Sequence, residues 1–255
     1  MASEQLRAVR DQVIGVAFDS RTVRPGDLYV ALPGAATHGA RFADRAVASG
    51  AVAILTDAEG AALAAAVGVP VIVSEHLRDD MAEIAASVQG HPAAKLGMFG
   101  ITGTNGKTST TFLLEAALAA LGRRPATIGT IGFRVAGEFL DVGRTTVTTP
   151  ESPDLQALLA RFVAEGATDC VMEVSSHALA LRRVDGMTFD VAAFTMLGQD
   201  HLDFHHTLTE YFDAKARLFR PALSRVAVIN TDDEYGRLLA ALVTGFFVGG
   251  SHPLM

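Results

Sequence analysis

The sequence predicts an α/β protein, with a small N-terminal α/β domain followed by a P-loop domain built on a parallel sheet. Three observations predict it. The stretch from Lys95 to Leu114, K-L-G-M-F-G-I-T-G-T-N-G-K-T-S-T-T-F-L-L, passes from an apolar run through a Gly/Thr turn into a helix-forming run. After it, strands that are near-continuous apolar runs alternate with helices, the pattern of a sheet covered on both faces. Ahead of it, short β-rich runs alternate with Ala-rich helical ones up to Gly90-His91-Pro92, which punctuates the chain. The expected domains are residues 1–92 and 93–255.

Taken in order, strands are expected at 13–18, 27–32, 51–56 and 69–73, with the turn R-P-G-D between the first two. Helical spacing marks 42–49 and 77–89, and Asp79 and Asp80 suit the first turn of the latter. The second domain reads as a helix at 107–121 closed by Gly122, a β region at 126–135 and a polar loop, T-T-V-T-T-P-E-S-P-D. A helix at 154–165, strands at 169–174 and 189–195, a helix at 210–219, a strand at 225–229 and a helix at 234–243 follow.

Composition narrows the function classes. The chain has 255 residues, 49% of them hydrophobic, which is ample for a sizeable core. A net charge of −7 without a basic stripe argues against nucleic-acid binding. Cys170 is the lone cysteine, so no internal disulfide can form; a buried core position and a reduced, cytoplasmic setting fit it. The first residues lack the apolar segment of a signal peptide, and the run at 238–250 is too short for a membrane span.

The P-loop carries the first candidate site. Gly103 and Gly106 let backbone N–H groups approach an anion at a helix N-terminus. Lys107 would reach the terminal phosphates, and the Thr108 hydroxyl would complete a magnesium shell. Ile101 stands where the motif has its first glycine, which is displaced to Gly100. A plain Gly/Thr helix cap is the bland alternative, but such a cap has no need of Lys107.

Ligands in open α/β sheets bind outside the carboxyl edge of the strands. There the expected strand at 169–174 presents Glu173, Ser175, Ser176 and His177, and the strand at 189–195 leads into Q-D-H-L-D-F-H-H. Each residue also has a simpler reading. Glu173 could cap a helix, Lys215 alone would be a solvated lysine, and Thr148 and Thr149 could form a turn before Pro150. The i, i+4 pair His201 and His205 could suggest zinc, although no acid adjoins His201 as in H-E-x-x-H.

Taken together, T-G-T-N-G-K-T, T-T-P-E, E-V-S-S-H, D-H-L-D-F-H, Y-F-D-A-K and V-I-N-T-D-D-E occur in the order found in the ATP-dependent Mur ligases, which the sequence resembles. The block D-S-R-T-V-R-P-G-D-L-Y-V-A-L-P-G resembles the UDP-muramoyl-binding domain of that family, and argues against the related folylpolyglutamate and cyanophycin-type synthetases. The likeness is strongest to the branch that adds the third stem-peptide residue.

The resemblance implies an ATP- and Mg²⁺-dependent ligase of peptidoglycan synthesis. Its substrates would be UDP-MurNAc-L-Ala-D-Glu and an amino acid, diaminopimelate or lysine, and the complete enzyme would be a cytoplasmic monomer. Lys107, Glu173, His201 and Lys215 would be catalytic. Thr108 and Glu173 would hold one Mg²⁺; His201 and Lys215, as its carbamate, would hold a second. Gly103, Thr104, Asn105, Gly106, Lys107, Thr108, Ser109 and Asn230 would bind ATP. Phe18, Ser20, Ala35, Ala36 and Thr37 would line the uridine end, with Thr148, Thr149, Ser175 and Arg183 on the muramoyl-dipeptide.

Against the family pattern, Met196 replaces an asparagine, Leu181 replaces a glutamine, and T-H-G around His38 replaces D-G-H. The C-terminal domain with its D-N-P-R signature has no counterpart, and T-G-F-F-V-G-G-S-H-P-L-M reads as an aberrant end. A non-catalytic UDP-muramoyl- and ATP-binding fragment is therefore the alternative function.

Overall fold

The computed structural model describes residues 9–141 and 148–243, and the backbone of 246–250. The first eight residues, Thr145, Thr146 and Val147 of the polar loop, and the last five residues lie outside that set. The chain divides into two compact units, 1–90 and 91–255.

In the first unit, β1 (Gly15–Ala17), β2 (Asp27–Ala31), β3 (Ala53–Thr56) and β4 (Val71–Val73) form a parallel sheet in sequential order. Successive side chains of a strand point to opposite faces. Accordingly Leu28 and Val30 enter one apolar cluster with Leu55, Ile72 and Met81, while Tyr29 and Ala31 enter another with Ala46 and Ile54. Helices α1 (Ala43–Ala48), α2 (Ala58–Leu63) and α3 (Leu77–Val88) connect and cover the strands. The period of α3 buries Leu77, Met81, Ala82 and Ala85.

Helix α2 escapes the sequence reading because its Ala-rich stretch has no contrast between faces. Its start is nevertheless encoded: Asp57 is the N-cap, accepting from Gly60 N at 2.8 Å. Asp57 also takes up the T-H-G departure. His38 Nδ1 accepts from Ala40 N at 3.0 Å, so its proton sits on Nε2 and is donated to Asp57 Oδ1 at 3.1 Å. Buried His38 thus pins the exposed loop of Ala35, Ala36 and Thr37 at its base. Asp57→Ala should cost about 1–2 kcal/mol, through the lost cap and the orphaned His38. Denaturant titration against wild type checks this.

The second unit contains β5 (Gly97–Thr102), α4 (Lys107–Ala120), β6 (Pro125–Gly129), β7 (Gly132–Val135), β8 (Glu138–Phe139), α5 (Ser152–Ala164) and β9 (Asp169–Glu173). It continues through α6 (Ser176–Ala180), β10 (Phe189–Phe194), α7 (Leu202–His205), α8 (Leu208–Ala216), β11 (Ser224–Asn230), α9 (Glu234–Leu242) and β12 (Phe246–Gly250). Among the described residues its sheet has the order β12-β11-β10-β5-β9-β6-β7-β8. Strand β5 therefore lies between β9 and β10, and the P-loop leaves the sheet where the ends of both neighbours flank it.

The parallel sheet expected here carries an antiparallel edge, because β7 and β8 run antiparallel. Only Thr130 and Ile131 separate β6 from β7, and so short a link makes a hairpin, whereas a parallel return needs a crossover. Within the end that reads as aberrant, β12 pairs in parallel with β11, from Val226↔Phe246 to Asn230↔Gly250.

Candidate active site

The turn after β5 is built around a glycine that nothing else can replace. Gly103 has φ +145, and a Cβ there would lie 1.8 Å from Thr195 Oγ1 and about as close as 3.0 Å to Met196 O. The end of β10 thus packs directly on the loop. Thr195 Oγ1 lies 2.6 Å from Asn105 O, and Thr104 N donates to Met196 O at 2.8 Å. The Met196 substitution removes a side-chain amide, yet this backbone contact is independent of the side chain. Thr104 Oγ1 accepts from Gly198 N at 2.8 Å and lies 3.1 Å from the Tyr211 hydroxyl.

Two lysines meet on one carbonyl. Lys107 Nζ donates to Gly103 O at 2.9 Å and Thr104 O at 3.0 Å, and Lys215 Nζ reaches the same Gly103 O at 2.9 Å. Read alone, Lys215 would be solvated; here it is 1% exposed, and its ammonium lies 4.4 Å over the Tyr211 ring. Burial, and then the charge of Lys107, pushes Lys215 down to about 7. Burial also lowers Lys107, opposed by the charges of Glu173 and Asp200. Cations crowded against low-dielectric walls with one shared carbonyl make a site suited to anionic oxygens.

Across the loop, buried Glu173 ends β9. Its Oε1 accepts from Thr108 Oγ1 at 2.9 Å and Thr130 N at 3.0 Å; its Oε2 accepts from Thr130 Oγ1 at 3.1 Å. A hydroxyl has one proton, so Thr108 spends it on Glu173 and keeps lone pairs for a cation. Hydroxyl and carboxylate oxygens are the donor types that hard Mg²⁺ takes. The pair fits such an ion.

The histidines form their own cluster. The His177 ring lies 4.8 Å from His201, 4.2 Å from Phe204 and 5.5 Å from His205. His201, in the left-handed region at φ 53, lies with its ring 6.2 Å from Tyr211, the residue under Lys215. His205 is buried, its Nε2 without a hydrogen-bond partner, and burial first, then the charge of His177, lowers it to about 4. For the zinc alternative, no group of three or more His, Cys, Asp or Glu is placed to hold a metal among the described residues.

The residues expected on the peptide side are engaged with one another. Thr149 is fully buried; its hydroxyl donates to Glu173 O at 2.9 Å and lies 3.3 Å from Ser175 N, so its side chain can position the site but not touch a ligand. Ser175 Oγ caps α6 by accepting from Ala178 N. Arg183 reaches Glu151 Oε1 at 2.9 and 3.0 Å and Thr149 O at 3.0 Å. Asn230, at the end of β11, donates to Thr195 O at 3.0 Å, and Ser109 is exposed on α4. In the first unit, Phe18 packs partly on the apolar core and Ser20 is buried.

A profile of the "Mur ligase middle domain" matches residues 101–248, and one described as "Mur ligase family, catalytic domain" matches 12–89. The chain belongs to the Mur ligase family. It is 51% identical over 245 residues to the UDP-N-acetylmuramoyl-L-alanyl-D-glutamate–2,6-diaminopimelate ligase of Streptomyces avermitilis, covering 95% of this chain and 48% of that protein. It is 44% identical over 228 residues to the UDP-N-acetylmuramyl-tripeptide synthetase of Leifsonia xyli subsp. xyli, covering 89% of this chain and 44% of the other. A solved UDP-N-acetylmuramoyl-L-alanyl-D-glutamate–2,6-diaminopimelate ligase superimposes with a TM-score of 0.79 at 31% identity, over 93% of this chain and 48% of that one. The chain thus spans about half the length of the curated relatives it matches.

In this Mur ligase chain the motif reading missed three side chains that organise the site. Tyr211 stood inside Y-F-D-A-K and Glu151 inside T-T-P-E without a role. Thr130 had no motif, and its only signal was a polar residue in a two-residue turn directly after a buried strand.

Proposed function

We propose that this chain supplies the UDP-muramoyl-peptide-binding and ATP-binding parts of a cytoplasmic ligase that makes peptidoglycan precursors. Its reaction would convert the D-Glu carboxylate of UDP-MurNAc-L-Ala-D-Glu to an acyl phosphate with ATP, for attack by the amine of diaminopimelate or lysine. The observation that carries the reading is the opposition of Lys107 and Lys215 on Gly103 O to the Thr108–Glu173 pair beside the same loop. That arrangement provides cations and hard oxygen ligands at a helix N-terminus, as a triphosphate and its Mg²⁺ require.

Thr108 and Glu173 would hold one Mg²⁺, and His201 with Lys215 a second; when bound, these ions screen the phosphate and carboxylate charges that must approach. Lys107 would turn from the loop carbonyls to the terminal phosphates. Lys215 is suited to carbamylation because burial holds a large share of it as the neutral amine near pH 7. Its nitrogen would attack CO₂, lose one N–H proton to solvent and present a carboxylate in place of a cation. Gly103, Thr104, Asn105, Gly106, Ser109 and Asn230 would surround the nucleotide; Ser175, Thr148 and Arg183 would face the dipeptide. Phe18, Ser20 and Ala35 to Thr37 would meet the uridine.

Calorimetry tests this. Wild type should bind a non-hydrolysable ATP analogue with Mg²⁺ and, separately, UDP-MurNAc-L-Ala-D-Glu. Lys107→Met should weaken the nucleotide by roughly 100-fold, about 2.8 kcal/mol, and leave the sugar nucleotide unaffected. Failure of wild type to bind either ligand would overturn the proposal.

A further inference from the structure

The hairpin between β6 and β7 wraps the Glu173 carboxylate. Gly129, the last residue of β6, must be glycine: a Cβ there would lie 2.2 Å from Glu173 Oε1 and 2.9 Å from Cδ. The next residue, Thr130, bonds both carboxylate oxygens, with its N–H to Oε1 at 3.0 Å and its hydroxyl to Oε2 at 3.1 Å. The same hydroxyl lies 3.2 Å from Thr148 Oγ1.

Proton counting gives this chain a direction. A carboxylate oxygen accepts, so the Thr130 hydroxyl donates its single proton to Glu173 Oε2. Toward Thr148 it can then only accept, and the Thr148 hydroxyl is the donor. The chain of bonds runs Thr148 → Thr130 → Glu173, while Thr108 donates to the other carboxylate oxygen. Thr148 has spent its proton, which leaves its lone pairs for donors on a ligand.

From this we infer that Thr130 is a positioning residue: it aims the Glu173 carboxylate at the cation site and ties that aim to the Thr148 segment. The inference rests on the proposed nucleotide–Mg²⁺ reading of the loop and adds a residue that no motif contains. Groups that orient a metal ligand cost roughly 10–100-fold in metal affinity when removed. A valine at 130 keeps the shape and the backbone N–H bond but lacks the hydroxyl; a serine keeps the hydroxyl.

The test titrates Mg²⁺ at fixed non-hydrolysable ATP analogue and follows nucleotide binding in wild type, Thr130→Val and Thr130→Ser, with thermal melts alongside. The Mg²⁺ needed for half-maximal binding should rise at least tenfold in Thr130→Val and stay within about twofold of wild type in Thr130→Ser. Thr148→Val, which leaves the Thr130–Glu173 bonds in place, should shift it in the same direction by less. It carries the test should Thr130→Val melt below the assay temperature. A Thr130→Val or Thr148→Val profile superimposed on that of wild type would overturn the inference and leave the nucleotide reading standing. So would equal shifts in Thr130→Val and Thr130→Ser, which mark a purely structural role. Wild type that binds no nucleotide at any Mg²⁺ concentration would overturn both.

Discussion

Lys215→Met should stabilise the chain near neutral pH, by on the order of 1–4 kcal/mol, while eliminating any carbamate signal in ¹³C NMR with labelled bicarbonate. Methionine fills nearly the same volume and needs no hydration. The lysine it replaces is buried, has one carbonyl and one aromatic face as partners, and shares that carbonyl with Lys107.

The sign of the pH dependence follows from the lowered proton affinity. Below about 7 the group is charged in both folded and unfolded chains, and the fold bears the full cost of the buried ammonium. Between about 7 and the ordinary lysine value of 10.5 the unfolded chain binds the extra proton, so this group makes stability rise with pH. In Lys215→Met that rise should vanish. Chemical denaturation of the bicarbonate- and metal-free proteins at pH 6, 8 and 10 checks it; parallel curves for wild type and variant would contradict the account.

Gly103→Ala should have the opposite character, damaging fold and function together. The added Cβ would meet Thr195 Oγ1 at 1.8 Å, in a backbone region at φ +145 that L side chains rarely adopt. Relief by moving Thr195 would break its contact with Asn105 O, and Met196 O and N would still lie 3.0 and 3.1 Å from the added Cβ. The strain, about 1–3 kcal/mol before any displacement, should lower the melting temperature by on the order of 4–10 °C. Nucleotide affinity should fall by roughly 100-fold, since the Gly103 carbonyl that gathers Lys107 and Lys215 would turn. Paired melting and calorimetry measure both.

Much of the fold was legible because the periodicities are strong. Strand β2 alternates its side chains between two apolar clusters, and α3 repeats its buried residues at helical spacing. What escaped had weak local signals. Helix α2 is half alanine with a glycine inside it, α6 is a turn and a half, and β8 is two residues long; their existence depends on what packs beside them. Strand β12 left no local mark because, among the described residues, it pairs with β11 alone and does so across a crossover.

The site divides in the same way. The glycine turn is legible in the sequence alone, since glycines followed by Lys107 and Thr108 suit an anion at a helix start. The sequence also placed Glu173 and the His201 segment at strand ends on one sheet edge. Which side chains are spent on one another depends on packing between distant segments. Burial made Lys215 a weakly basic amine rather than a solvated cation, and turned Thr149 inward to the strand it supports. It also set Arg183 on Glu151 and made Thr130 the holder of Glu173. Local spacing encodes where the backbone goes; the state of a polar group depends on what surrounds it, and that is known only once distant segments have met.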